Sequence, residues 1–165
     1  KNKIITMIEY FNNFIKKDSL DKMLSIDFEF NNIKNIRKIA LCQLNFEDNS
    51  NDSQIFLFYP PDLNKNQLKV FVKLLIENNI KKILHGSESL DLPYLFKNIV
   101  RDKKNIIKFF ENFVDTKYIC EYYHLDKKKY DMKCKVNYFN YEMNVISKKQ
   151  FNYLENQEKK NGTNL

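Results

Sequence analysis

Residues 24–30 read LSIDFEF, two acids set into a run of large apolar side chains. An extended strand sorts them: successive side chains point to opposite faces, so Ile26, Phe28 and Phe30 look one way and Asp27 and Glu29 the other. The two carboxylates then stand about 7 Å apart along one face. Like charges at that spacing beside a hydrophobic core repel, raise each other's pKa and resist desolvation unless a cation or a set of donors compensates them. The chain must therefore bury one face of this strand and supply a partner for the other.

The rest of the sequence supplies the buried face. At 165 residues the chain fits one domain, long enough to bury a core without disulfides. Met7, Ile8, Phe11, Phe14 and Ile15 recur at helical spacing and predict an amphipathic opening helix over residues 6–17. Residues 18–22 turn the chain into the first strand, 23–30. KIALCQLNFE and QIFLFYP read as second and third strands, divided by the turn-forming EDNSNDS and ended by Pro60 and Pro61. Short connections predict an antiparallel meander. From Asn64 onward, Leu68, Phe71, Val72, Leu75 and Ile76 share a helical face, with Asn78 and Asn79 as its stop.

KKILHG then reads as a fourth strand and SESLDLPYLFKNI as a helix with Pro93 in its first turn. DKKNIIKFFENF reads as helix or loop, and FVDTKYICEYYHL as a helix capped by Asp115. KVNYFNYEMNVI and KKQFNYLENQEKK supply two last helices. A meander followed by strand-helix units predicts an α/β fold: a mixed sheet, parallel after the first crossover, flanked by helices. No internal repeat or domain-separating linker appears.

The formal net charge of +7 favours an anionic partner, nucleic acid first. Cys42, Cys120 and Cys134 are odd in number and lack CxxC spacing. They support neither a disulfide framework nor a zinc knuckle, and place the chain in a reducing intracellular compartment, cytoplasm or nucleus. No window approaches the roughly twenty apolar residues of a membrane span, so no membrane partner is expected.

Five segments in order, SIDFEF, IALCQLNFE, QIFLFYP, KKILHGSESLDLPYL and FVDTKYICEYY, resemble the ribonuclease D-like branch of the DEDD (DnaQ-like) 3′–5′ exonuclease superfamily. That family places an acidic pair on its first strand, a glutamine on its second and a third strand before a helix. A His-containing turn leads to a helix bearing the third acid, and F-D-T opens a further helix. The resemblance covers about residues 6–150 and implies an RNase H-like fold with a mixed five-stranded sheet. It further implies that Asp27, Glu29 and Asp91 are catalytic and hold two divalent cations, Mg²⁺ or Mn²⁺. Carboxylate oxygens suit such hard cations, and a cation pair roughly 3.5–4 Å apart serves both the attacking water and the leaving 3′ oxygen. The implied substrate is a single-stranded 3′ end, RNA before DNA, released as nucleoside monophosphates. In HGSESLDLPYL the third acid lies one residue further from His85 than in the commonest family pattern. Glu88 is the alternative, and the L-P-Y-L that follows favours Asp91. His85, Gln43 and Asp115 are read as structural or supporting residues.

The family also carries a fourth acid, in Y-x3-D or H-x4-D form, on its last helix. Tyr122 and Asp126 match as letters but come too early, on the helix directly after FVDT. Tyr153 and Gln157 have the spacing with a neutral amide in place of the acid; a second register puts the acid beyond Leu165, the chain being cut before the last family helix. A domain with three acids has two readings, an exonuclease or a degenerate exonuclease-like domain serving as a nucleic-acid-binding or scaffold module. Lys127, Lys128, Lys129, Tyr130 and Lys133 interleave cations with an aromatic ring as a strand-binding surface would, and equally as a solvated basic loop would.

Overall fold

The alternation in LSIDFEF becomes a strand in the computed structural model, which describes residues 2–19, 21–34, 36–49, 53–123 and 147–160. Strand β1 (Lys22–Ile33) buries Leu24, Ile26 and Phe28 and exposes Asp27 and Glu29. It pairs antiparallel with β2 (Ile36–Glu47), which pairs antiparallel with β3 (Gln54–Phe58). On its other side β1 pairs parallel with β4 (Ile80–Leu84), and β4 parallel with β5 (Phe113–Asp115). The order is β3-β2-β1-β4-β5, with β2 alone running against the rest. That is the RNase H-like arrangement.

The described residues form two units, Lys1–Asp115 and Thr116–Leu165. In the first, helices α1 (Asn2–Lys16) and α2 (Lys65–Ile76) contribute to one core with the apolar face of the sheet. Phe11 is fully buried, its ring 5.4 Å from Phe46, 6.5 Å from Phe58 and 6.0 Å from Phe71. Burial of one such ring contributes about 1.5–3 kcal/mol. Helix α2 starts where Asn64 accepts from the N–H groups of Asn66 and Gln67 while the Gln67 side chain accepts from the Asn64 N–H. Its buried residues are Phe71, Leu74 and Leu75; Leu68, Val72 and Ile76 are half-buried, so the helix is rotated toward Leu74 relative to the stripe its spacing predicts.

Two lysines lie inside this core. Lys22, 1% exposed, donates to the carbonyls of Phe14, Ile15 and Lys17 at 3.2, 3.0 and 2.9 Å, closing the end of α1. Lys82, fully buried, donates to the Glu77 carbonyl just past α2 at 3.1 Å. Burial holds the Lys22 ammonium below the usual lysine range and brings Lys82 down to about 8. Each cation thus joins a strand to the C-terminus of a helix, where the macrodipole favours it.

A short 3-10 turn, Pro60–Asp62, follows β3, and α3 (Asp91–Asn98) and α4 (Lys103–Phe110) complete the first unit. Asp102 caps α4 by accepting from Lys104 and Asn105, which resolves the helix-or-loop ambiguity of that segment as helix. In the second unit, α5 (Thr116–Tyr123) carries a Lys117–Glu121 pair at 3.9 Å, and α6 (Lys148–Lys160) opens with Ser147 and Gln150 capping each other. KVNYFNYEMNVI, the other expected late helix, lies outside the described residues. No described helix is long and apolar enough to cross a membrane.

Candidate functional site

Everything at the site follows from the register of β1. Asp27 stands opposite Gln43 of β2 and Glu29 opposite Leu41, so both acids and Gln43 share the face turned away from the core. The register slips between Glu29 and Phe30, a bulge that changes how the strand leaves the sheet beside Glu29. Burial, then the charge of Asp27 and a hydrogen bond to its carboxyl, raises the Glu29 pKa. The repulsion expected from D-x-E is present in the fold.

Asp91 comes from the far side of a crossover. It is the first residue of α3, and its Oδ1 accepts from the backbone N–H of Phe28 at 3.3 Å, between the two strand acids. Tyr94, one turn along, sets its ring 5.2 Å from Phe28 and 5.6 Å from Phe30 and so holds the start of α3 against β1. Burial, then the charge of Asp27, pushes the Asp91 carboxyl up to about 7, against the N–H groups of Phe28 and Asp91 itself; Glu29 adds a smaller rise. Burial and the charges of Asp27 and Asp91 also keep the Cys42 thiol well above the ordinary range. Glu88, the alternative third acid, is exposed in the turn before α3.

The turn that delivers Asp91 is latched by Asp115. Its carboxylate, at the end of β5, accepts from the Gly86 and Ser87 N–H groups at 2.9 Å each and from the Ser87 hydroxyl at 2.7 Å. Ser87 is fully buried and Asp115 5% exposed. The sequence reading of Asp115 as a cap for the following helix missed this partner, because parallel pairing of β4 with β5 brings the two together. Gly86, at φ 61°, makes the tight turn that a residue with a Cβ would resist. His85 follows β4 directly and is half-buried.

The donor chemistry suits a hard divalent cation: carboxylates that share a neighbourhood and whose raised pKa values mark a need for positive charge. The spacing is looser than a formed cage. Among the described residues no three His, Cys, Asp or Glu side chains are grouped so as to hold a metal ion. Lys127, Lys128, Lys129, Tyr130 and Lys133 lie outside the described residues, as does Asp126. Tyr153 is exposed on α6, whose span includes Gln157.

No family model matches the chain. It is 42% identical over 126 residues to Uncharacterized protein L533 of Acanthamoeba polyphaga mimivirus, an alignment covering 71% of this chain and 24% of that protein. It is 33% identical over 73 residues to Uncharacterized protein RP120 of Rickettsia prowazekii (strain Madrid E), covering 43% of this chain and 20% of that one. The chain thus spans about a quarter or less of these relatives' length. Among solved structures it is similar to the Aedes aegypti Nibbler EXO domain, with TM-score 0.47, 12% identity and coverage of 78% of this chain and 54% of that one. It is also similar to the EXD2 exonuclease domain, with TM-score 0.46, 15% identity and coverage of 91% and 76%.

Proposed function

We propose that the chain is a metal-dependent 3′–5′ exonuclease that hydrolyses the terminal phosphodiester of single-stranded nucleic acid, RNA before DNA, and releases nucleoside monophosphates. The observation that carries this reading is the approach of Asp91 to the strand acids: residues 63 positions apart are joined by the Phe28 N–H to Asp91 Oδ1 bond, on the first strand of an RNase H-like sheet. Burial and the charge of Asp27 raise the pKa values of Glu29 and Asp91, a cost that cation binding would offset.

Asp27, Glu29 and Asp91 would hold Mg²⁺ or Mn²⁺. Bound there, the cations supply an activated water and neutralise charge on the phosphoryl and leaving oxygens. The protein's own contribution is placement. β1 fixes the two acids on one face, the Phe28 amide and Tyr94 fix Asp91 beside them, and Asp115 fixes the loop before it. Asp91, its carboxyl pushed up to about 7, would give up its proton on holding a cation in the neutral range.

The test uses 5′-labelled single-stranded RNA with Mg²⁺ or Mn²⁺. Wild-type protein should give a ladder shortening from the 3′ end with monophosphate as product, and Asp27→Ala should lose at least a hundredfold in rate. Equal cleavage by Asp27→Ala would sink the enzyme reading. The second reading is a domain that binds strands without cutting them; among the described residues no three His, Cys, Asp or Glu side chains are grouped to hold a metal ion. Strand binding with no cleavage in either metal would establish it.

A further inference from the structure

Beyond Glu29, β1 and β2 leave the sheet. β1 pairs with β4 only over Lys22–Ser25, and β2 with β3 only over Cys42–Phe46, whereas β1 and β2 stay paired out to Ile33 and Ile36. Residues 30–34 and 36–39 are therefore a two-stranded ribbon about 10–13 Å long, with no further strand on either side among the described residues. Such ribbons are marginal alone, and this one buries little: Asn31, Asn32, Ile33, Lys34, Ile36, Arg37 and Lys38 are all exposed. Its charge has one sign. FNNIKNIRKIA contains Lys34, Arg37 and Lys38 and no acid, and among the described residues none of the three side chains forms an ion pair.

Register fixes where these cations sit relative to the acids. Asp27, Glu29 and Asn31 alternate on one face, and Lys38 stands directly opposite Asn31. Lys38 is thus on the acid face, about 7 Å along the strand from Glu29. Arg37, opposite Asn32, takes the other face, and Lys34 is at the tip with φ 52°, a left-handed conformation uncommon for lysine. Cations with no ion-pair partner among the described residues, on an arm that begins where the acids end, complement a polyanion whose terminus lies at the acids.

We propose that the β1–β2 ribbon is a phosphate-gripping arm that holds the backbone of a single-stranded nucleic acid upstream of its 3′ end. Lys38 takes the phosphate nearest the acids, and Arg37 and Lys34 those further out. The contact is to backbone, so it gives length and salt dependence with little base preference. The proposal rests on the exonuclease reading for the position of the 3′ end.

The experiment measures fluorescence anisotropy of a labelled single-stranded RNA twelve-mer without divalent cation, so that nothing is cut, at several salt concentrations (about twelve nucleotides lie within one binding site of this kind). The full chain is compared with Lys34→Ala/Arg37→Ala/Lys38→Ala, with Arg37→Glu/Lys38→Glu, and with Lys65→Ala/Lys69→Ala/Lys73→Ala on α2 as a charge-matched control. The ribbon variants should bind about tenfold or more weakly, and the triple variant's plot of log K against log salt should lose a slope of about 2, near 0.7 for each phosphate contact removed. The α2 variant should bind as wild type.

Wild-type affinity and slope in both ribbon variants, equal losses in the α2 variant, or no RNA binding by the wild type would each overturn the proposal. Cleavage in Mn²⁺ is read separately. Ribbon-dependent binding without cleavage leaves the arm standing and removes the exonuclease, while cleavage that ignores the ribbon removes the arm alone.

Discussion

Asp91 is the residue at which the account is most exposed to measurement. An unfolded chain ionises it near 3.8, whereas the fold holds it protonated to about 7. Between those values the folded state binds more protons, so stability without metal falls as pH rises across this window and levels off above it. Asp91→Asn keeps an acceptor for the Phe28 amide and removes the charge. It should flatten the profile and, after solvent screening, be about 1–2 kcal/mol more stable than wild type at pH 8. Urea melts at pH 4.5 and pH 8 check this, and a wild-type profile rising with pH would contradict it. The strand acids were legible from seven letters because period-2 alternation is local. The choice between Glu88 and Asp91 was not, since it depends on which turn residue reaches Phe28 across 63 positions. The buried lysines were illegible too: in the letters KM and KK nothing tells a solvated cation from one seated on helix carbonyls.

Among the elements, the loop between β4 and α3 carries the most consequence for its size. Its two N–H groups and one hydroxyl all converge on Asp115, so Asp115→Ala leaves buried donors unpaired and should cost about 2–4 kcal/mol. Ser87→Ala removes one of the three bonds and should cost about 1 kcal/mol. Chemical denaturation checks both values. In the proposed site Asp115 would act through the placement of Asp91, so Ser87→Ala, which stays folded, should weaken Mn²⁺ affinity while leaving strand binding unchanged; weakened strand binding would contradict this. β1, β2, β3, β4 and α2 were legible because their apolar residues keep a strand or helix period over enough positions. β5 was hidden inside FVDTKYICEYY: three residues are too few for a period, and their strand character comes from pairing with β4. Residues 31–33 of β1 and 36–37 of β2 escaped notice because NNI and IR bury nothing, and cross-strand pairing alone extends the strands over them.

At the scale of the whole molecule, a core of tilted and edge-to-face phenylalanine rings packs on one face of the sheet, and Asp27 and Glu29 stand on the other. Phe11 touches four other rings with no exposure, and Phe11→Ala should cost about 3–5 kcal/mol through the cavity it leaves, measured as a lowered urea midpoint. The meander-then-parallel topology was legible from element order, since connection lengths leave few alternatives. The proposed centre depends on Asp91 reaching the strand that carries Asp27 and Glu29, through its bond to the Phe28 amide. Calorimetric titration of Mn²⁺ into the full chain at pH 7, repeated in buffers of differing ionisation heat, tests that claim most directly. Uptake should saturate with release of up to about one proton, both lost in Asp91→Asn. No uptake, or uptake and proton release that Asp91→Asn leaves unchanged, would contradict it.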